Sequence, residues 1–200
     1  MQAFHIPVAL DTDVNAAAYG EFLWGAGRMK KHVLYITIGT GIGGGMIVNG
    51  KPLHGLIHPE MGHIFLPSLT DSSKFTGICP YHSNCFEGMA SGPALEAQCG
   101  IKAEQLPIDH PVWEKEAFYI AQALCAYICI LSPDIIILGG GVMQQAQLFP
   151  MIRKNVQAQL NGYIQSPLIL RNIEKYIVPP GLSSRSGVLG ALGLALQAEH

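Results

Sequence analysis

Positive charge is scarce in this chain, and so is charge of either sign. Twelve lysines and arginines stand against 14 aspartates and glutamates in 200 residues, for 13% charged and a formal net charge of -2. No run of Lys or Arg relieves the shortage locally. The chain therefore offers no cationic field to a nucleic-acid backbone, and DNA or RNA binding is not expected. No secretory leader is expected, since no charged segment runs into an apolar stretch with a small-residue cleavage site, and no apolar run reaches membrane-spanning length. We expect a cytoplasmic protein with no membrane partner. Cysteines are few and odd in number, five in all, which argues against a disulfide framework. Repeats and low-complexity tracts are absent too. What the chain has in quantity is apolar side chains, 49% of residues, enough to bury a sizeable core in one large domain or two small ones.

Local patterning gives an α/β order. Pro7-Val8-Ala9-Leu10 reads as a short strand running into Asp11-Thr12-Asp13, and Asn15 to Met29 as a helix with Thr12 and Asp13 as its capping chemistry. Val33 to Ile38 is rich in β formers, the glycines from Gly39 to Gly45 read as a turn, and Met46-Ile47-Val48 returns as a strand before a second turn at Asn49-Gly50. Val112 to Leu131 has helical spacing and stops before Ser132-Pro133; a buried strand, Asp134 to Leu138, follows and closes on Gly139-Gly140-Gly141. A helix from Gln144 to Leu160, a strand at Tyr176-Ile177-Val178 and a small-residue helix from Gly187 to Gln197 complete the alternation.

The most specific local signal is a cluster of thiols and imidazoles. Cys79, His82 and Cys85 are each separated by two residues in a Gly- and Pro-rich stretch, and His63, in Glu60-Met61-Gly62-His63, supplies a fourth donor. Four N and S ligands with none left open match a structural, tetrahedral Zn²⁺ and not a catalytic one, which keeps a water. Cys99, Cys125 and Cys129 are left over and are expected to be buried thiols.

Gly39-x-Gly41-x-x-Gly44 formally matches the dinucleotide fingerprint. That motif needs a helix to begin at the loop, whereas here a strand follows, so the dinucleotide reading is rejected. Backbone N–H groups and the Thr40 hydroxyl at such a turn can still meet a phosphate, because glycine lets the anion approach closely. Two carboxylates, Asp11 and Asp13, lie at a strand-to-helix junction, and either could act as a base.

Taken in order, Asp13-Val14-Asn15-Ala16-Ala17-Ala18, the Gly39 to Gly45 loop, Glu60-x-Gly62-His63, the metal loop ending Cys85-Phe86-Glu87 and Gly139-Gly140-Gly141-Val142 resemble the ROK family of sugar kinases. Cys79-Pro80-Tyr81-His82 with Ser91-Gly92-Pro93-Ala94 is similar to the fructokinase branch; the glucokinases usually carry a third cysteine in place of His82. The resemblance implies an actin-like, hexokinase-like (ribonuclease H-like) ATPase fold whose two α/β domains close over hexose and ATP. It implies Asp13 as the general base that takes the proton of the attacking sugar hydroxyl. Thr12, Asn15, Glu60, His63 and Glu87 become sugar-binding positions beside Asp13. Gly39, Thr40, Gly41, Gly43 and Gly44 become a phosphate loop, Gly139 and Gly140 the turn beside the adenosine. Mg²⁺ would accompany the ATP, and a homodimer is expected.

Two departures from the family pattern matter. Thr12 replaces the asparagine usual in glucose-specific relatives, so fructose leads and glucose is not a safe guess. The family's first strand and Asp-x-Gly-Gly-Thr-like loop do not precede Met1. We therefore expect residues 1–30 to be a remnant of the N-terminal domain with the interdomain helix, and residues 31–200 to be the C-terminal domain, with its zinc loop at 60–87. The resemblance implies phosphorylation of fructose at its 6-position. A catalytically silent sugar-binding or dimerisation module is the alternative, and a sugar-responsive ROK repressor ranks last.

Overall fold

Both faces of the central sheet are covered, which is why the stretches at 33–38 and 134–138 read as largely apolar strands. The computed structural model describes residues 8, 10–67, 69 and 75–197. The chain runs α1 (Asp13–Trp24), β1 (His32–Ile38), β2 (Ile42–Val48), β3 (Lys51–Pro52), α2 (Phe86–Ala90), α3 (Gly92–Cys99) and α4 (Val112–Leu131). It continues through β4 (Ile135–Gly139), α5 (Leu148–Leu160), α6 (Pro167–Arg171), β5 (Ile177–Val178) and α7 (Ser186–Gln197). The five-stranded sheet is ordered β3-β2-β1-β4-β5. β1, β2 and β3 pair antiparallel, while β4 lies parallel to β1, with Thr37 opposite Gly139, and β5 lies parallel to β4. Among the described residues no helix is long and apolar enough to cross a membrane.

Side chains alternate across a strand, and the two sets here enter two separate cores. Leu34, Ile36 and Ile38 of β1, with Ile136 and Leu138 of β4, pack into the larger core beneath α2, α4 and α5. Val33 and Tyr35, with Ile135 and Ile137, face Ala17, Ala18 and Tyr19 of α1 on the other side. α4 matches the expected helix; it ends where Ser132 takes a left-handed φ of 45° ahead of Pro133. Asn49 and Gly50, at φ 51° and 81°, make the tight turn between β2 and β3.

Several boundaries differ from the sequence reading. The expected strand at 7–10 falls partly outside the described residues; Val8 and Leu10, which are described, are not in a strand. α1 begins at Asp13 and stops at Trp24 rather than Met29. Glu21 causes that stop: its buried carboxylate accepts N–H groups from Ala26 (2.7 Å), Gly181 (2.9 Å) and Leu182 (3.0 Å) and the Ser186 hydroxyl (2.7 Å). Turning the chain at Gly25 is what brings the Ala26 amide to that acceptor. The glycines expected to form a turn up to residue 45 lie instead in β2 from Gly43 onward. The helix expected from Gln144 begins only at Leu148, after a 3-10 turn over Val142–Gln144, and the short helices α2, α3 and α6 went unread. The expectation of three buried thiols is not met either, since Cys99 and Cys125 are half-buried and Cys129 is exposed.

α1 and α7 cross at near backbone contact. A Cβ on Gly20 would lie 2.5 Å from the Ser186 carbonyl oxygen, and one on Gly190 would overlap that of Ala16. Gly190→Ala should therefore cost about 1 to 3 kcal/mol by overpacking, which lowers Tm by about 2 to 10 °C. Gly187→Ala, with nothing within 4 Å of its added carbon, should leave Tm unchanged or raised in the same melting experiment. Glu116 in α4 gives a second test. It is fully buried, and neither oxygen finds a hydrogen-bond partner among the described residues. Burial alone pushes its carboxyl well above the usual range. At low pH the acid is protonated in both states and this ionisation adds no cost. As pH rises through the unfolded-chain value, the unfolded state ionises first and stability falls. The Tm of Glu116→Gln relative to wild type should therefore climb as pH rises above about 4.5.

Candidate active site and metal centre

β1 and β4 end side by side in glycine turns, and ligand clefts in open α/β sheets form at such carboxyl ends. Gly39 N–H donates to the Gly41 carbonyl (2.9 Å) to tighten the first turn, and Gly92 N–H donates to Gly39 (2.7 Å), which holds the start of α3 against it. Gly140 carries φ +94°, and a side chain there would meet Ile38 backbone. Three cavities open along this edge. One of about 390 Å³ is lined by Thr12, Asp13, Thr40, Gly43, Glu60 and Glu87, with other residues of both flanking segments. A second of about 410 Å³ shares Gly39 and Thr40 and adds Gly92, Lys102, Gly141 and Gln145. Gly139 and Gly140 line a third, about 600 Å³, with Tyr35, Thr37 and the loop before α7.

In the first cavity, Asp13 occupies the opening turn of α1. Thr12 is the N-cap, its Oγ1 accepting the Asn15 N–H at 3.1 Å. The Asp13 side chain is exposed toward the cavity and accepts its neighbour's N–H, from Val14, at 2.9 Å. Asp11 is placed differently. Its Oδ1 accepts the Thr12 N–H (2.8 Å) and the Asn15 Nδ2 (2.7 Å) and lies 3.1 Å from His54 Nε2. Burial would raise the Asp11 carboxyl, but the Asn15, Thr12 and His54 donors outweigh it and hold the group below the usual carboxylate range. Asn15 is buried against Asp11 and does not line the cavity.

The opposite wall comes from the loop after β3 and from α2. Glu60 leads into a 3-10 turn at Met61–His63, and the Tyr127 hydroxyl anchors that turn by donating to the Met61 carbonyl. His58, which the sequence reading missed, pairs with Glu60 at 2.9 Å and lines the same cavity. Its only sequence signal was proximity to Glu60. Glu87, in the first turn of α2, accepts the Ile42 N–H at 2.9 Å. Gly41 has to be bare there, since a Cβ would stand 2.8 Å from Glu87 Oε2.

Behind Glu87 the ligand atoms of His63, Cys79, His82 and Cys85 all lie within 4.8 Å of one another, so one ion can touch all four. His63 Nδ1 is 3.9 Å from Cys79 Sγ and 3.5 Å from Cys85 Sγ, and His82 Nδ1 is 3.8 Å from Cys79 Sγ. Local backbone makes the cluster: Ser83 N–H donates to the Cys79 carbonyl (2.9 Å), Ser83 adopts φ 52°, and Cys85 caps α2 through its sulfur. Burial opposes ionisation of Cys79, yet the Tyr81 and His82 N–H groups prevail and bring its thiol below the ordinary value. Burial, with the neighbouring Cys79 sulfur, pushes Cys85 up. The remaining His63 nitrogen, Nε2, lies 4.0 Å from Glu87 Oε1. One imidazole thus joins the four-donor cluster to a side chain of the cavity.

Comparison with known proteins places this arrangement. The sequence model of the ROK family matches residues 1–198. A Bacillus subtilis (strain 168) relative, provisionally named a fructokinase, is 55% identical over 193 residues, covering 96% of this chain and 64% of its own. The fructokinase of Pediococcus pentosaceus is 45% identical over 195 residues, covering 98% and 66%. The chain thus spans just under two thirds of the length of these relatives. A ROK family glucokinase from Streptomyces griseus, solved in complex with glucose and AMPPNP, superposes with TM-score 0.76 at 28% identity, covering 98% of this chain and 70% of that one. With the family match running almost end to end over the same glycine turns, acidic cavity and thiol-imidazole cluster, the chain belongs to the ROK family.

Proposed function

We propose that this chain takes part in ATP-dependent phosphorylation of a hexose, fructose to fructose 6-phosphate, with Asp13 as the general base. The observation that carries the reading is a shared cavity: Asp13, Glu60 and Glu87 line it together with Thr40 and the glycines of the first turn. A sugar held by the carboxylates places one hydroxyl at Asp13 and faces the phosphate-binding turn. Asp13 takes the hydroxyl proton as the oxygen attacks the γ-phosphorus, the bond from that phosphorus to the bridging oxygen breaks and ADP leaves, and the rest of the catalysis is positioning and charge stabilisation. Thr40 and the N–H groups of the turn suit the phosphates, and the neighbouring glycine turn at Gly139 and Gly140 suits the adenosine. Mg²⁺ arriving with the nucleotide would neutralise phosphate charge. Asp11 is a poorer base, because three donors already converge on its Oδ1. Fructose is favoured by the Pediococcus pentosaceus relative, a fructokinase at 45% identity, and by Thr12 and His82.

We assign the four-donor cluster to structural zinc. Bonds of about 2.3 Å to sulfur and about 2.0 Å to nitrogen put tetrahedral ligand atoms about 3.3 to 3.8 Å apart. The observed sulfur–nitrogen separations are 3.5, 3.8 and 3.9 Å, against about 3.5 Å for such a pair on one tetrahedral ion, so an ion would draw the donors together by a few tenths of an ångström. Zinc at His63 Nδ1 would fix the ring and aim Nε2 toward Glu87.

Two experiments test these assignments. Asp13→Asn should lower hexose phosphorylation by about 10² to 10⁴-fold while hexose binding, followed by calorimetry, stays near wild type. Full-rate turnover in that variant removes the base assignment, and saturable hexose binding with no turnover by wild type assigns the chain to sugar binding alone. Metal analysis should find one zinc per chain, and a chelator should weaken hexose affinity by about 10- to 100-fold at temperatures where the core remains folded. Protein purified without metal that binds hexose normally would refute the zinc assignment.

A further inference from the structure

We propose that His54 and Asp11 form a clasp that positions Asp13 by tying the two walls of the cavity together. The proposal takes the role of Asp13 from the kinase reading, but the clasp itself rests on geometry. Asp11 precedes the N-cap of α1, and its side chain is only 9% exposed. Its Oδ1 gathers the Thr12 N–H, which fixes the backbone leading into Asp13, and the amide of Asn15, a fully buried residue of the first helical turn. The third group at Oδ1 is His54 Nε2, at 3.1 Å, from the loop after β3. Four residues later that loop supplies His58, Pro59 and Glu60 to the cavity that Asp13 lines. His54 Nε2 also lies 3.4 Å from Asn15 Nδ2, so the opposing walls meet where Asp11, Asn15 and His54 converge. A charged acceptor makes each of these bonds stronger than a neutral pair would. Half of the His54 side chain is exposed, so a substitution there removes the loop's hold on Asp11 without opening a core cavity.

Reactivity in a positioned site is sensitive to such links, since a displacement of about 1 Å can cost about a hundredfold. His54→Ala should release the start of α1, and His54→Gln should restore it, because the glutamine amide can donate from nearly the position of Nε2. Hydrogen exchange at residues 12–16 is the first readout and needs no turnover. Exchange there should speed up about tenfold in His54→Ala through local opening and stay near wild type in His54→Gln, with the two variants melting alike. The second readout is hexose phosphorylation: kcat should fall about 10- to 100-fold in His54→Ala with KM for the sugar little changed, and recover in His54→Gln. Unchanged exchange in His54→Ala overturns the clasp. So does a raised KM at constant kcat, which would make His54 a sugar contact. If wild type phosphorylates no hexose, the kinase reading fails while the exchange measurement still judges the clasp.

Discussion

The cavity exists because one strand carries almost no side chains where it is approached from both sides. A Cβ on Gly43 would stand 2.9 Å from Val14, and one on Gly45 would overlap the Val14 carbonyl, so α1 lies directly on β2 with Asp13 at its leading end. On the opposite face a Cβ on Gly44 would come within 2.6 Å of Met61 sulfur, and Gly62 packs bare against the Ile42 carbonyl. The segment bearing Glu60 and His63 therefore closes on the strand as tightly as the helix does. Glycine in a strand interior costs conformational entropy and packing. Here that cost is offset by the approach of two segments whose polar ends face each other across the end of the sheet.

That arrangement explains what the sequence could and could not reveal. β1, β4 and α4 were legible because their pattern is set by burial alone: both faces covered for the strands, one apolar stripe for the helix. The thiol-imidazole cluster was legible because its spacing is local. Gly43 to Gly45 was misread as turn because composition cannot separate a glycine that bends the chain from one that admits a neighbour, and none of the three has a positive φ. The end of α1 was misplaced for a related reason. Glu21 stops it with acceptors spent on residues 160 or more positions away. The choice between Asp11 and Asp13 was open in the sequence, since the two differ only in what surrounds them.

Buried charge separates structure from function in this molecule. Glu21 has four donors on its two oxygens and joins α1 to the start of α7; removing one partner of such a network leaves an uncompensated group and is strongly destabilising. Glu116 has no partner among the described residues, and burial favours its neutral form. Asp13, by contrast, keeps its outer surface toward the cavity. A carboxylate that must accept a proton from a substrate needs an unoccupied lone pair, and a fully satisfied one would have to break bonds first.

His63 extends the same logic to the metal cluster. On the proposed reading its Nδ1 is spent on zinc, so the proton of the neutral ring is confined to Nε2 and the ring can only donate toward the cavity. Glu87 Oε1 lies 4.0 Å away, too far for a direct hydrogen bond. A sugar hydroxyl about 2.8 Å from each fits between them, accepting from the imidazole and donating to the carboxylate. A cysteine could replace His63 as a ligand but would leave no donor on the far side, and a lysine could donate but would not be held by the ion. An imidazole satisfies both demands with one rigid ring, so on the proposed reading the ion would hold a sugar contact in place without touching the sugar itself.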